Sequence, residues 1–153
     1  MKENTNINAN ELYKNAVIST FETMIGVTLE TMARPLDRGI SCYDVTCIIS
    51  VLGDMPSNIA LRISDTTAEN ILAKYKKKHA IENTSISYCM GELISSLVEN
   101  YRSRCCDKKM VLTAPEVITG QGHDLHFSNF KNIIELYFTS NIGDAYLIVV
   151  HGG

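Results

Sequence analysis

The sequence lacks any apolar run approaching the length of a membrane span, and its first residues, MKENTNINAN, lack the apolar core of a signal peptide. These two absences predict a cytoplasmic protein with no membrane partner. Neither sign of charge is in excess: 14 Lys and Arg stand against 17 Asp and Glu, for a formal net charge of -3. That balance supplies no general pull toward nucleic acid or acidic membranes. Paired cysteines are also lacking. Cys42, Cys47, Cys89, Cys105 and Cys106 are odd in number and include no CxxC spacing. This argues against a disulfide framework and against the common zinc and redox motifs. Cys47 and Cys89 fall on apolar faces and read as small buried hydrophobes. No repeat, linker or low-complexity block follows the polar N-terminus.

What is present has the composition of a folded domain. The 153 residues are 45% hydrophobic and 20% charged, enough material for one core. Residues 1–9 are polar and Asn-rich and predict a flexible tail, with a single domain over 10–153. A first helix is predicted from Glu11 to Ile25, capped by Asn8 or Asn10, with Leu12, Ala16, Val17, Phe21 and Met24 inward and Gly26 as its stop. Thr28 to Met32 reads as extended, and Arg34-Pro35 to Gly39 as a break. Asp44 to Leu52 alternates as a strand, Gly53 to Pro56 has turn chemistry, and Ser57 to Ser64 returns as the second strand of a hairpin. Ser64 or Asp65 is the expected cap of a second helix, with Thr66 and Glu69 at capping-box spacing. The basic cluster of Lys74 and Lys76–Lys78 falls at the end of that helix, where it complements the helix dipole.

The longest periodic stretch is Thr84 to Arg104, with Asn83 or Thr84 as cap. Ile86, Met90, Leu93, Leu97 and Tyr101 recur at helical spacing, and Cys89, Ile94 and Val98 widen the stripe. Glu92, Ser95, Glu99 and Arg102 lie three to four apart and share a polar face. Past this helix, Met110 to Thr119 is extended and bent at Pro115, Leu125 to Phe127 predicts a short strand, and Ile133 to Thr139 alternates. Ala145 to Val150 is nearly all apolar, as in a central strand or one that meets a partner chain. His123 and His126 bracket Asp124 without further ligands at metal spacing, so a turn is expected there and no metal site. Cys105 and Cys106 carry no mark of catalysis. The sum is an α+β domain, an antiparallel-rich sheet with helices packed on it.

This order of elements resembles the CheX-like branch of the CheC/CheX/FliY chemotaxis phosphatases over roughly residues 10–153. Two stretches carry the likeness, and the closing hairpin to HGG at the C-terminus also fits. MGELISSL at Met90 to Leu97 is similar to the family's helix motif, Glu-x-x-Asn preceded by a small residue. TAPEVITGQG at Thr113 to Gly122 is similar to its proline-containing strand followed by a hydroxyl residue and Gly. The resemblance implies a two-layer fold, a homodimer joined at sheet edges, and a phosphorylated CheY-type response regulator as partner. It implies hydrolysis of the regulator's aspartyl phosphate, with Mg on the regulator and no cofactor or metal in this chain. Glu92 matches the motif glutamate, which engages the regulator near its active-site lysine. The position of the water-orienting asparagine is held by Ser95, and Ile94 stands where the family has a small residue. Glu92, Ser95, Ser96 and Glu99 are the partner-binding residues so implied, with Glu92 and Ser95 the catalytic ones.

The replacement of asparagine leaves two functions open. A serine has one rotatable hydroxyl on a short stem, where asparagine offers a carbonyl acceptor and an amide donor. One reading is a response-regulator phosphatase. The other is a dimeric module that binds a receiver domain, or another signalling partner, without efficient hydrolysis. The fold alone does not separate these from a purely structural domain.

Overall fold

The computed structural model describes residues 5–33, 43–53, 56–105, 109–121, 123–127 and 130–152. In order they form α1 (Thr5–Ile25), β1 (Glu30–Met32), β2 (Val45–Leu52), β3 (Ser57–Ile63), α2 (Asp65–His79) and α3 (Ile86–Cys105). Then come β4 (Val111–Leu112), β5 (Glu116–Thr119), β6 (Phe130–Thr139) and β7 (Ala145–Gly152). The strands make one sheet in the order β1-β6-β7-β3-β2-β4, with β5 also paired to β2. Every pairing is antiparallel. None of the described helices is long and apolar enough to cross a membrane.

Side-chain alternation explains the layering. Val45, Cys47, Ile49 and Val51 of β2 face the helices, as do Ile59, Leu61 and Ile63 of β3 and Ala145, Leu147 and Val149 of β7. All are buried with Phe21, Met90, Leu93, Ile94 and Leu97 in one core. β7 lies between β6 and β3, so its apolar run is that of a central strand. The opposite face of the sheet carries a smaller cluster of Ala60, Tyr146, Ile148 and Val150, packed against Ile48, Leu125 and Phe127. Tyr137 and Tyr146 stack there at 4.6 Å. Helices therefore cover one face, and a loop segment covers the other.

The sequence expectations for the hairpin β2–β3, for α2 and α3 and for the closing strands hold, with specific corrections. α1 begins at Thr5, ahead of the expected start at Glu11. Ala9 explains this: it packs against the core one turn before Tyr13, so the buried stripe reaches further back than Leu12. Tyr13 itself, absent from the expected stripe, is 1% exposed and stacks on Tyr101 of α3 at 3.7 Å. Gly26 ends α1 as expected, at φ +67. The cap of α2 is Ser64, whose hydroxyl accepts from the Thr67 amide at 3.1 Å. The cap of α3 is Ser85, not Asn83 or Thr84: the Ser85 hydroxyl accepts from the Tyr88 amide at 3.1 Å, and its carbonyl from Cys89. Residues 125–127 form no strand; Leu125 and Phe127 lie on the sheet's second face instead of pairing at its edge. The expected break at 34–39 lies outside the described residues.

Candidate functional site

α3 is divided lengthwise. Cys89, Met90, Gly91, Leu93, Ile94, Leu97 and Val98 are buried, because these positions return to the core side at each turn. The remaining arc carries Tyr88, Glu92, Ser95, Ser96, Glu99 and Arg102, all exposed or half-buried. α3 packs against α1, α2, β2 and β5. Its Gly91 lies close to Pro115, whose Cγ is 3.5 Å from where a Cβ would stand. The remaining arc is thus a strip of α3 free of the core, and Gly91 brings the proline-bent segment before β5 up to the helix.

Glu92 is the best-defined charge on this strip. The Tyr88 hydroxyl, one turn earlier, donates to its Oε1 at 2.9 Å. That bond, and then the carboxylate's charge, hold the Tyr88 phenol above its ordinary pKa. Tyr75 of α2 is buried, and its phenol is raised first by burial and then by the charge of Glu92. Sequence reasoning missed Tyr88, although its spacing to Glu92 was visible as i, i+4.

Ser95 is half-buried, one turn beyond Glu92. Among the described residues no hydrogen bond involves its hydroxyl. Ile94 is 0% exposed: its branched side chain packs inward and leaves the strip clear. Asn100 is turned away from the strip and donates to Thr20 Oγ1 of α1 at 2.8 Å, so it stitches helices and does not stand in for the missing amide. Glu99 is exposed and meets Arg102 at 3.4 Å, while Ser96 borders the buried side. The structure thus places Glu92, Ser95, Ser96 and Glu99 on one accessible surface.

The other residues singled out by sequence lie elsewhere. His123 sits on the far face of the sheet, its Nε2 within 2.7 Å of Thr46 Oγ1 and its Nδ1 within 2.8 Å of the Gly120 carbonyl. The Gly120 carbonyl accepts only, so Nδ1 donates to it, and Thr46 Oγ1 is the partner of Nε2. Arg62 joins this group through Thr46 Oγ1 at 3.1 Å and the His123 carbonyl at 2.8 Å. The group ties the loop to the sheet. No cluster of three His, Cys, Asp or Glu suited to a metal occurs among the described residues. Burial pushes the Cys47 thiol up to about 12 and Cys89 up to about 11, the behaviour of inert core thiols. Cys105 is half-buried, and Cys106 lies outside the described residues. A cleft of about 410 Å3 lined by Thr28, Glu30, Lys74, Ser140 and Asn141 shares no residue with the α3 strip.

Known structures show the same architecture. The chain superposes on the chemotaxis protein CheX of Desulfovibrio desulfuricans with a TM-score of 0.80 at 14% identity, covering 94% of this chain and 99% of that one. With CheX of Vibrio vulnificus the TM-score is 0.77 at 17% identity, over 92% and 96% of the two chains. A Borrelia burgdorferi CheX, solved in complex with CheY, BeF3 and Mg, matches with a TM-score of 0.67 at 14% identity, over 94% and 97%. No curated protein matches the chain by sequence at a significant level. Residues 45–139 match the family model described as "Chemotaxis phosphatase CheX". That match runs from β2 through the whole of α3 to the end of β6, well over half of the chain, and with it this protein belongs to the CheX family.

Proposed function

We propose that the chain docks a phosphorylated CheY-type receiver domain on the solvent strip of α3 and hydrolyses its aspartyl phosphate. The observation that carries this reading is the joint exposure of Glu92 and Ser95 on one strip with Ile94 turned inward. The complex of Borrelia burgdorferi CheX with CheY supports the choice of partner. Glu92 meets the receiver's lysine ammonium. Ser95 faces the acyl phosphate and accepts a hydrogen bond from the attacking water. The water oxygen bonds to phosphorus, the bond from phosphorus to the aspartyl oxygen breaks, and aspartate leaves as carboxylate. The proton of the water passes to the phosphate released. An acyl phosphate has a good leaving group, so positioning and charge stabilisation suffice. Mg comes with the receiver, and this chain supplies no metal ligand. Homodimerisation at a sheet edge belongs to the same reading, and Val111 of β4 and Ile118 of β5, 60% and 37% exposed, give that edge apolar side chains.

The shorter reach of a serine hydroxyl favours a second reading, in which the receiver is bound and its phosphate released only slowly. One assay decides between them. Phosphorylated receiver from the same organism is mixed with this protein and its decay followed. Faster decay, lost in Glu92→Ala, supports the enzyme. Decay at the intrinsic rate rejects it. Acceleration in Ser95→Asn alone would then assign the deficit to the missing amide.

A further inference from the structure

We propose that Tyr88 is a positioning residue of the docking strip: its hydroxyl holds one oxygen of Glu92 so that the carboxylate meets a partner ammonium already oriented. The inference rests on the docking role of Glu92 and adds a residue outside the Glu-x-x-Asn pattern. Tyr88 is 55% exposed, so the core does not require a ring there and water could satisfy its hydroxyl. The hydroxyl instead donates to Glu92 Oε1 at 2.9 Å.

The chemistry suits a carboxylate that has to receive a cation. A carboxylate has two oxygens and several acceptor sites, so one phenol leaves Oε2 free. A glutamate loses rotamer freedom on docking, and a side chain restrained beforehand loses less. A lysine or arginine at this place would also restrain Glu92, but would cancel the charge the partner has to find. A phenol is a neutral donor and keeps that charge whole. The cation on the strip, Arg102, pairs instead with Glu99 at 3.4 Å.

The test is a double-mutant cycle on the full chain, read as the Kd for a CheY-type receiver carrying beryllium trifluoride and Mg. Tyr88→Phe keeps the ring and removes the hydroxyl. It is expected to weaken binding about three- to tenfold, the scale of one net hydrogen bond. In a Glu92→Ala background the same change is expected to cost nothing further. An unaltered thermal midpoint for Tyr88→Phe confirms that the fold is not the cause. Equal Kd values for Tyr88→Phe and the wild type overturn the proposal. So does an equal loss in both backgrounds, which would mean that Tyr88 touches the partner independently of Glu92. No binding by the wild type overturns the docking role of Glu92 and this proposal with it. Binding that is indifferent to Tyr88→Phe overturns this proposal alone.

Discussion

The two sides of α3 recur at the same helical spacing, one apolar and one polar, and they answer to different constraints. On the core side Leu93, Ile94, Leu97 and Val98 are each 0–1% exposed. On the other side Tyr88 and Glu99 are exposed and Glu92 and Ser95 half-exposed. The first side joins α1, α2 and the sheet into one core, and its identities are fixed by volume. The second is free of that duty, and its identities are open to a partner. The difference teaches where to look for function in a helix whose fold is not in question: on the side where a residue could change without disturbing packing. It also gives a way to test the division, by asking how much stability each side yields.

The core side should yield most. Leu97→Ala removes a fully buried side chain from the core that helix and sheet residues share. A loss of about 2–5 kcal/mol in unfolding free energy is expected, measured by urea denaturation. A loss under about 1 kcal/mol would mean that the layers repack easily, and would blur the contrast between the two sides.

At the border stands Asn100. Its Nδ2 donates to Thr20 Oγ1 at 2.8 Å, and Thr20 is 0% exposed. Asn100→Ala leaves that hydroxyl short of a partner and should cost about 1–3 kcal/mol in the same denaturation experiment. Receiver binding should be unaffected. Binding that falls while stability holds would move Asn100 onto the docking strip.

These contrasts also explain what was legible beforehand. Period-two and period-3.6 patterns announced β2, β3, α2 and α3, because in each one face had to be apolar to reach the core. The same logic placed Ile94 within the apolar stripe, where the structure buries it. It did not announce Tyr13, whose hydroxyl disguised a ring that stacks on Tyr101 at 3.7 Å. Nor did it find Ser85 as the cap of α3, since three polar residues in a row, Asn83, Thr84 and Ser85, all satisfy the rule and only backbone geometry chooses among them. For the site, periodicity identified a polar face, and the resemblance to CheX selected Glu92 and Ser95 on it. The contact from Tyr88 to Glu92 needed coordinates, because spacing alone does not say whether two exposed side chains bond to each other or to water.

Gly91 sharpens the comparison with a gain in stability. It lies inside α3, where glycine carries an entropic penalty relative to alanine. An added Cβ would sit 3.5 Å from Pro115 Cγ, an ordinary van der Waals contact. Gly91→Ala should therefore stabilise the protein by about 0.5–1 kcal/mol, seen as a higher thermal midpoint. A lower midpoint would show that the approach of α3 to the Pro115 segment has no room to give.

The smallest effect on the fold is expected on the solvent strip, from Glu92→Ala and Ser95→Ala. Neither side chain is buried, and the Glu92 carboxylate bonds only to the exposed Tyr88 among the described residues. Each change should leave unfolding free energy within about 0.5 kcal/mol of the wild type. Removing a docking carboxylate nonetheless leaves a partner's ammonium without its counter-charge, so Glu92→Ala should weaken receiver binding by tenfold or more, on the scale of about 2 kcal/mol for a truncated charge pair. Stability and binding would then separate cleanly: large and nil for Leu97, nil and large for Glu92. If Glu92→Ala instead destabilised the fold by as much as Asn100→Ala, the strip would be part of the scaffold, and the search for the docking surface would have to leave α3.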